Sequence, residues 1–362
     1  MAGLVGCTEP SLDSGSPNAV NREPPPPPLT PRRTPRRRRF RYTALALAAL
    51  VLAAAPVAGQ AVPAPDTLPP VVRVAADSAR GFRWAYYLYV PPALRADSAR
   101  GRPRTILVMP NNTGKPDDDP AVHERYVREL LPHFRRTAGR LGLAMLMPAF
   151  PRPASSDNLY THALDRDAML AKEPGLRRLA LQLLAMIDDA RAKLAAQGIR
   201  AEERVLMHGH SAAGMFVNRF VLLHPERVKA AAIGAPGGWP TLPAAAHGGR
   251  RLRYPVGVAD LGTLAGRPFD LRRAREVPLY FFLGADDAND SVPYDDSYDP
   301  EDRALVMELF GPTPAARWPR AAEIVRAELP RATFHAYPGV GHEVNQAMWA
   351  DIWAFLGPHA AR

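Results

Sequence analysis

The chain predicts an α/β fold: a mainly parallel, doubly wound sheet flanked by helices, with a lid-like insertion. Three observations carry that prediction. Short apolar strand candidates alternate with helix-length segments along most of the chain. A glycine-flanked serine, Gly209-His210-Ser211-Ala212-Ala213-Gly214, stands where one such strand meets the next helix. One long stretch, residues 237–276, breaks the alternation with Pro, Gly and Arg and weak periodicity.

In chain order, Phe82 to Val90 reads as a strand rich in Tyr and Trp, and Thr105 to Met109 as a short apolar strand. Residues 121–139 have helical spacing, with Tyr126, Leu130 and Phe134 on one face. Leu141 to Met147 is a buried-strand candidate, and Leu176 to Gln197 a long amphipathic helix. Arg204 to Met207 leads into Ser211, a helix runs from Met215 to Leu223, and Val228 to Ile233 follows as a strand. Pro278 to Leu283 and Ala332 to Tyr337 complete the strands, and Asn345 to Leu356 closes the chain as a helix. Ligands of such sheets bind beyond the carboxyl ends of the strands. The loops after Met109, Met147, Met207, Leu283 and Tyr337 are therefore expected on one side.

The net charge of +10 suggests nucleic acid only until it is located. Residues 1–60 hold eight arginines, no lysines and three acids, so half of that charge belongs to the leader. The rest is a mildly basic surface, and no nucleic-acid partner is expected. The leader carries a basic cluster, Arg32, Arg33 and Arg36 to Arg39, then an apolar stretch from Ala44 to Ala58 and small residues. This is the pattern of an export signal cleaved near Gly59 or Ala61, giving a periplasmic or secreted protein. The Arg37-Arg38-Arg39-Phe40 run fits a twin-arginine signal loosely. An uncleaved N-terminal anchor is the alternative, although the apolar run is short of the roughly 20 residues a span needs. A Pro-rich linker, residues 61–70, precedes the catalytic domain, residues 71–362. The single cysteine, Cys7, lies in the leader, so a processed chain has no thiol for disulfides, metals or nucleophilic attack.

Ser211 sits on a tight turn that needs small residues two before and two after it, here Gly209 and Ala213. The helix that follows favours negative charge at its start. A serine hydroxyl is a weak nucleophile and needs a base. His342, in the Gly-rich run Pro338-Gly339-Val340-Gly341-His342-Glu343, is the candidate, and it would also protonate a leaving group. A carboxylate must orient that imidazole, and Asp286, Asp287 and Asp290 follow the strand that ends at Leu283.

Serine, aspartate and histidine thus occur in that order, each just after a predicted strand. This resembles the α/β-hydrolase superfamily from about residue 70 to the end, and in particular secreted feruloyl esterase-like and polyhydroxybutyrate depolymerase-like esterases. The resemblance implies an exported serine hydrolase that cleaves a small-molecule or polymer ester, without cofactor or metal. It favours Asp287, three residues after Gly284, although extra residues before Val292-Pro293 depart from the usual loop. It also implies an oxyanion hole made by the Ala212 N–H and a donor from Pro110-Asn111-Asn112-Thr113-Gly114. Pro110 has no N–H, so Asn111 or Asn112 donates; Asn111 is favoured, and an asparagine side chain is a further candidate donor. The rivals are a serine peptidase on the same scaffold and a non-catalytic binding protein that keeps the fold.

Other residues carry two readings each. Tyr160, His162 and Asp165 line a substrate pocket or pack internally, and Trp239 packs on an acyl or aromatic group or lies in the core. His208 and His210 suggest metal by spacing, but one flank of a nucleophile turn is a poor place for two ligands. The acids between Asp286 and Asp302 form a solvated loop or a calcium site. The arginines of the 237–276 insertion make a solvated outer face or a cationic rim for an anionic substrate.

Overall fold

Apolar runs of Val, Ile, Leu and Met become the strands of one eight-stranded sheet. The computed structural model describes residues 70–94, 103–112, 115–156 and 159–360. The leader and the linker up to residue 69 lie outside these residues, and with them the expectation of export. The elements run β1 (Val72–Val74), β2 (Tyr86–Tyr89), β3 (Ile106–Val108), α1 (Pro120–Leu141), β4 (Ala144–Pro148), α2 (Arg166–Leu170) and α3 (Leu179–Ala195). Then follow β5 (Val205–His210), α4 (Ala212–Leu223), β6 (Val228–Gly234), a small hairpin of β7 (Ala246–His247) and β8 (Arg250–Arg251), α5 (Leu261–Ala265) and α6 (Leu271–Glu276). The chain closes with β9 (Leu279–Gly284), α7 (Pro300–Phe310), α8 (Pro314–Glu328), β10 (Ala332–Tyr337) and α9 (Gln346–Ala360).

The strand order is β1-β2-β4-β3-β5-β6-β9-β10. β2 runs antiparallel to both neighbours, and every other pairing in this sheet is parallel. Alternate residues of the buried strands feed the two faces, as the pleat requires. Val205, Met207 and Phe281 join Leu183, Ile187, Phe216 and Phe220 of α3 and α4 on one side. Leu206, Tyr280 and Phe282 join Val127, Leu131, Trp349 and Ile352 of α1 and α9 on the other. The predicted doubly wound sheet is the one observed. Among the described residues no helix is long and apolar enough to cross a membrane.

Element boundaries moved where capping decides them. α1 starts with the Asp119 side chain accepting from the Ala121 N–H and Pro120 in the first turn. It ends at Gly142, whose φ of 66° suits a left-handed cap, so Leu141 closes the helix instead of opening β4. α7 and α8 fall in a stretch for which the sequence reading placed no element.

The 237–276 insertion packs onto the body of the fold. Leu242, Leu252, Tyr254, Val256 and Leu261 are buried in the same core as α3 and α4, so the segment is anchored through its apolar residues. Its arginines do not form a free cationic rim. Arg253 reaches Asp299 at 2.9 Å, Glu301 at 3.2 Å and Asp302 at 2.6 Å, while Arg250 pairs with Glu308. Arg267 pairs with Glu226 and Arg275 with Glu328. The acidic run after β9 is therefore in large part the counter-charge of these and other arginines: Asp295 meets Arg303, and Asp296 meets Arg152. Opposite charges far apart in sequence found each other in the fold.

The carboxyl end of β9 touches the turn after β10 at Gly284. A Cβ there would lie 2.1 Å from the Val340 carbonyl oxygen and 2.3 Å from that of Gly341. Gly284→Ala is expected to lower stability by about 1–3 kcal/mol in urea unfolding, because backbone must move to admit the methyl. An unchanged midpoint would show that the two turns do not need this contact.

Candidate active site

Three strand ends supply the site. β5 stops at His210, and the chain turns at Ser211 with φ 61° and ψ −127°, a conformation that costs a non-glycine residue. Gly209 makes the turn possible, since a Cβ on it would lie 2.3 Å from the Ala213 carbonyl oxygen. The turn is held by the Ser211 N–H donating to Gly234 of β6 at 3.0 Å, and α4 starts at once, with Met215 N–H donating to the Ser211 carbonyl at 2.9 Å. The strain places the hydroxyl above the sheet edge at the helix N-terminus.

The loop after β9 is folded by Asp287 N–H donating to the Gly284 carbonyl at 3.1 Å. It is joined to the turn after β10 by Ala285 N–H to Tyr337 at 2.8 Å and Asp286 N–H to Val340 at 3.0 Å. This brings the Asp287 carboxylate, 6% exposed, to His342. His342 Nδ1 lies 2.8 Å from Asp287 Oδ2, and Nε2 lies 2.8 Å from Ser211 Oγ. Burial pushes the Asp287 carboxyl up, but hydrogen bonds from His342 and the Asn289 N–H outweigh it and hold the group below its usual range. Of the other two acids, Asp286 is exposed, and Asp290 is engaged by Arg317 at 2.8 Å.

A β3-β5-β6-β9 parallel core, an antiparallel second strand, a strained serine turn and a Ser–Asp–His order now stand together. The chain has the α/β-hydrolase fold. No protein-family model matches the chain, and no curated protein matches it in sequence. Solved structures do. The chain is similar to poly(aspartic acid) hydrolase-1 from Sphingomonas sp. KT-1, with 19% identity over 79% of this chain and 97% of that one, TM-score 0.49. It is also similar to LpqC, a poly(3-hydroxybutyrate) depolymerase from Bordetella parapertussis, with 21% identity over 78% and 87%, TM-score 0.48. Thermogutta terrifontis esterase 2 matches at 16% identity over 80% and 94%, TM-score 0.44.

Ala212 and Asn112 meet at the helix start that follows Ser211. Ala212 is the first residue of α4, so its N–H has no acceptor within the helix. Asn112 Oδ1 accepts from the Ala213 N–H at 2.9 Å, which seats the loop after β3 against the helix start. The Asn111 side chain is engaged away from the oxyanion position. It is fully buried, its Nδ2 donates to the Phe150 carbonyl at 3.0 Å, and its Oδ1 accepts from the Phe150 N–H at 3.1 Å. His162 Nε2 stands 3.3 Å from the same oxygen. The side chain of Asn111 is a loop anchor.

Two proposed substrate contacts are corrected by burial. His162 is 0% exposed and backs the Asn111 anchor, with burial pushing its pKa down to about 3. Trp239 is 1% exposed and stacks on Phe310 at 4.3 Å, its Nε1–H donating to Val256. His162 has no face open to a substrate, and Trp239 only edges a small cavity it shares with Asp287 and Asn289. Tyr160 is half-buried, with the Arg152 guanidinium 4.7 Å over its ring. A cavity of about 230 Å³ does open beside the turn, lined by Asn112, Leu130, Phe134, His210, Ala213 and Trp349 among others.

His210, Asp287 and His342 each offer a ligand atom within 4.8 Å of the others. Both ring nitrogens of His342 already face Asp287 and Ser211, so the cluster reads as a triad with a packed neighbour. The His210 ring lies 4.7 Å from that of His342, and burial pushes its pKa down to about 3. His208 points into the α9 face, 5.0 Å from Trp349, with Nδ1 3.2 Å from the Ala232 carbonyl. The sequence reading missed Asn289 and Arg317. The extra residues in the acid loop were the only signal for Asn289, and nothing local marks Arg317.

Burial lowers the His208 pKa from 6.5 to about 4. The unfolded chain therefore takes up a proton first as pH falls, and stability from this group is lost between about pH 6.5 and 4. His208→Phe is expected to close on, then overtake, the wild type in that window. The stability difference should change by about 1.4 kcal/mol per pH unit once well below 6.5. Urea unfolding at pH 7, 6 and 5 measures it; a constant difference would rule out a neutral buried His208.

Proposed function

We propose that this chain is a serine hydrolase that cleaves carboxylic esters through an acyl-enzyme. The observation that carries the reading is the continuous line Ser211 Oγ–His342 Nε2 and His342 Nδ1–Asp287 Oδ2, both at 2.8 Å. Ser211 Oγ attacks the ester carbonyl as its proton passes to His342 Nε2. Asp287 keeps the second ring proton on Nδ1 and stabilises the imidazolium. Main-chain N–H groups of Ala212 and of the loop holding Asn111 and Asn112 receive the oxyanion. His342 then gives its proton to the leaving alcohol, and water repeats the sequence to free the acid.

Export through the basic and apolar leader belongs to the same reading, with an N-terminal anchor as its alternative. Cell fractionation of the full chain separates the two.

Ser211→Ala is expected to reduce kcat/KM on 4-nitrophenyl butyrate by at least ~10³-fold and to abolish fluorophosphonate labelling. Retained turnover or labelling would remove Ser211 from the mechanism. Faster cleavage of aminoacyl naphthylamides than of nitrophenyl esters would turn the reading toward a peptidase.

A further inference from the structure

Asn289 belongs to the extra residues of the acid loop, and its side chain reaches the base. Nδ2 of Asn289 lies 3.0 Å from His342 Nε2, the same nitrogen that faces Ser211 Oγ at 2.8 Å. Both ends of the loop are held. The Asn289 main-chain N–H donates to Asp287 Oδ1 at 2.8 Å, and Asp287 Oδ2 faces His342. On the far side, Asp290 accepts from Arg317 Nη1 at 2.8 and 2.9 Å and from the Val292 N–H at 3.0 Å. Arg317 is 0% exposed and also donates to the Gly311 and Pro312 carbonyls, so α8 fixes the loop from below. The Asn289 amide is thereby held over the reacting nitrogen while remaining open to solvent.

A neutral imidazole nitrogen has one lone pair in the ring plane, yet two donors face it here. Ser211 must own that lone pair for its proton to move. Once it does, the Asn289 N–H is left pointing at the space beside Nε2. That space has a defined occupant during the reaction. After Ser211 Oγ has bonded to the carbonyl carbon, the carbon–oxygen bond to the alcohol breaks, and the alcohol oxygen takes the proton from Nε2. To do so it must sit within hydrogen-bond distance of Nε2, where the amide donor already is.

We propose that Asn289 is a catalytic residue that donates a hydrogen bond to the departing alcohol oxygen, fitting the site to esters of poorly departing alkyl alcohols. This rests on the serine esterase reading above. The amide transfers no proton; it stabilises negative charge that gathers on the oxygen before His342 protonates it. A nitrophenolate leaves without such help, whereas an alkoxide does not.

The test compares butyrate esters with one acyl group and two leaving groups, ethyl and 4-nitrophenyl, on wild type, Asn289→Ala and Asn289→Leu. Both variants keep the main-chain N–H that braces Asp287, and the leucine keeps the shape without the donor and without a new charge beside Nε2. We expect kcat/KM on ethyl butyrate to fall about 10- to 100-fold in both, the range for a hydrogen bond to a charged group. On 4-nitrophenyl butyrate the change should stay within about 3-fold. An equal fall on both esters would reduce Asn289 to a loop-ordering residue, and no fall on ethyl butyrate would leave it no part in the chemistry; either overturns the proposal. Ser211→Ala, run alongside, keeps the two ideas apart. If it is inactive while the Asn289 variants treat both esters alike, only the leaving-group role fails.

Discussion

Everything at this site depends on one imidazole being held from both of its nitrogens. His342 Nδ1 meets a carboxylate 55 residues away in sequence, and Nε2 meets a hydroxyl 131 residues away. An imidazole gripped on one side only would rotate, and its tautomer would be undefined. The grip requires the ends of β5, β9 and β10 to stop at the same height on one edge of the sheet. It also requires the turns beyond them to approach closer than side chains allow, which is why glycines stand at 209 and 284. The strain at Ser211 is tolerated because β6 and α4 hold the turn on both sides.

The charge distribution serves the same end. Acids that looked like a solvated loop after β9 bind arginines from the 237–276 segment and from α8. The buried Arg317–Asp290 pair is the most telling of these. A charge at zero exposure is tolerated only with full compensation, and here two carboxylate contacts and two carbonyls supply it. Its position directly beyond Asp287 and Asn289 ties the acid loop to the scaffold, so the Asp287–His342 contact and the packing share one support. The loop after β3 is braced in the same way, by Asn111 on Phe150 and Asn112 on the start of α4.

Much of this was legible in the linear chain. Ile106-Leu107-Val108 and Leu279 to Leu283 are apolar at successive positions because both sheet faces are covered, and such runs stand out without any structure. Asp287 stood out from its neighbours only through the resemblance, which favours an acid three residues after Gly284. The roles of Trp239 and His162 were not legible, since an aromatic beside a predicted pocket looks the same whether it faces in or out. The 237–276 segment misled for a related reason. Its Pro, Gly and Arg content hides the few apolar residues, Leu242, Leu252, Tyr254 and Val256, that bury it.

Local chemistry and order were thus written in the amino acids themselves: strand and helix alternation, the serine turn, and the succession of serine, aspartate and histidine. Those features depend on neighbours within a few positions, where period, turn residues and spacing act directly. Pairing across long separations was settled only by the folded chain. Arg317 with Asp290, Arg253 with Asp302 and Asn289 with His342 are separated by 27, 49 and 53 residues. No local preference brings such groups together; the sheet edge does, by setting the ends of distant strands side by side.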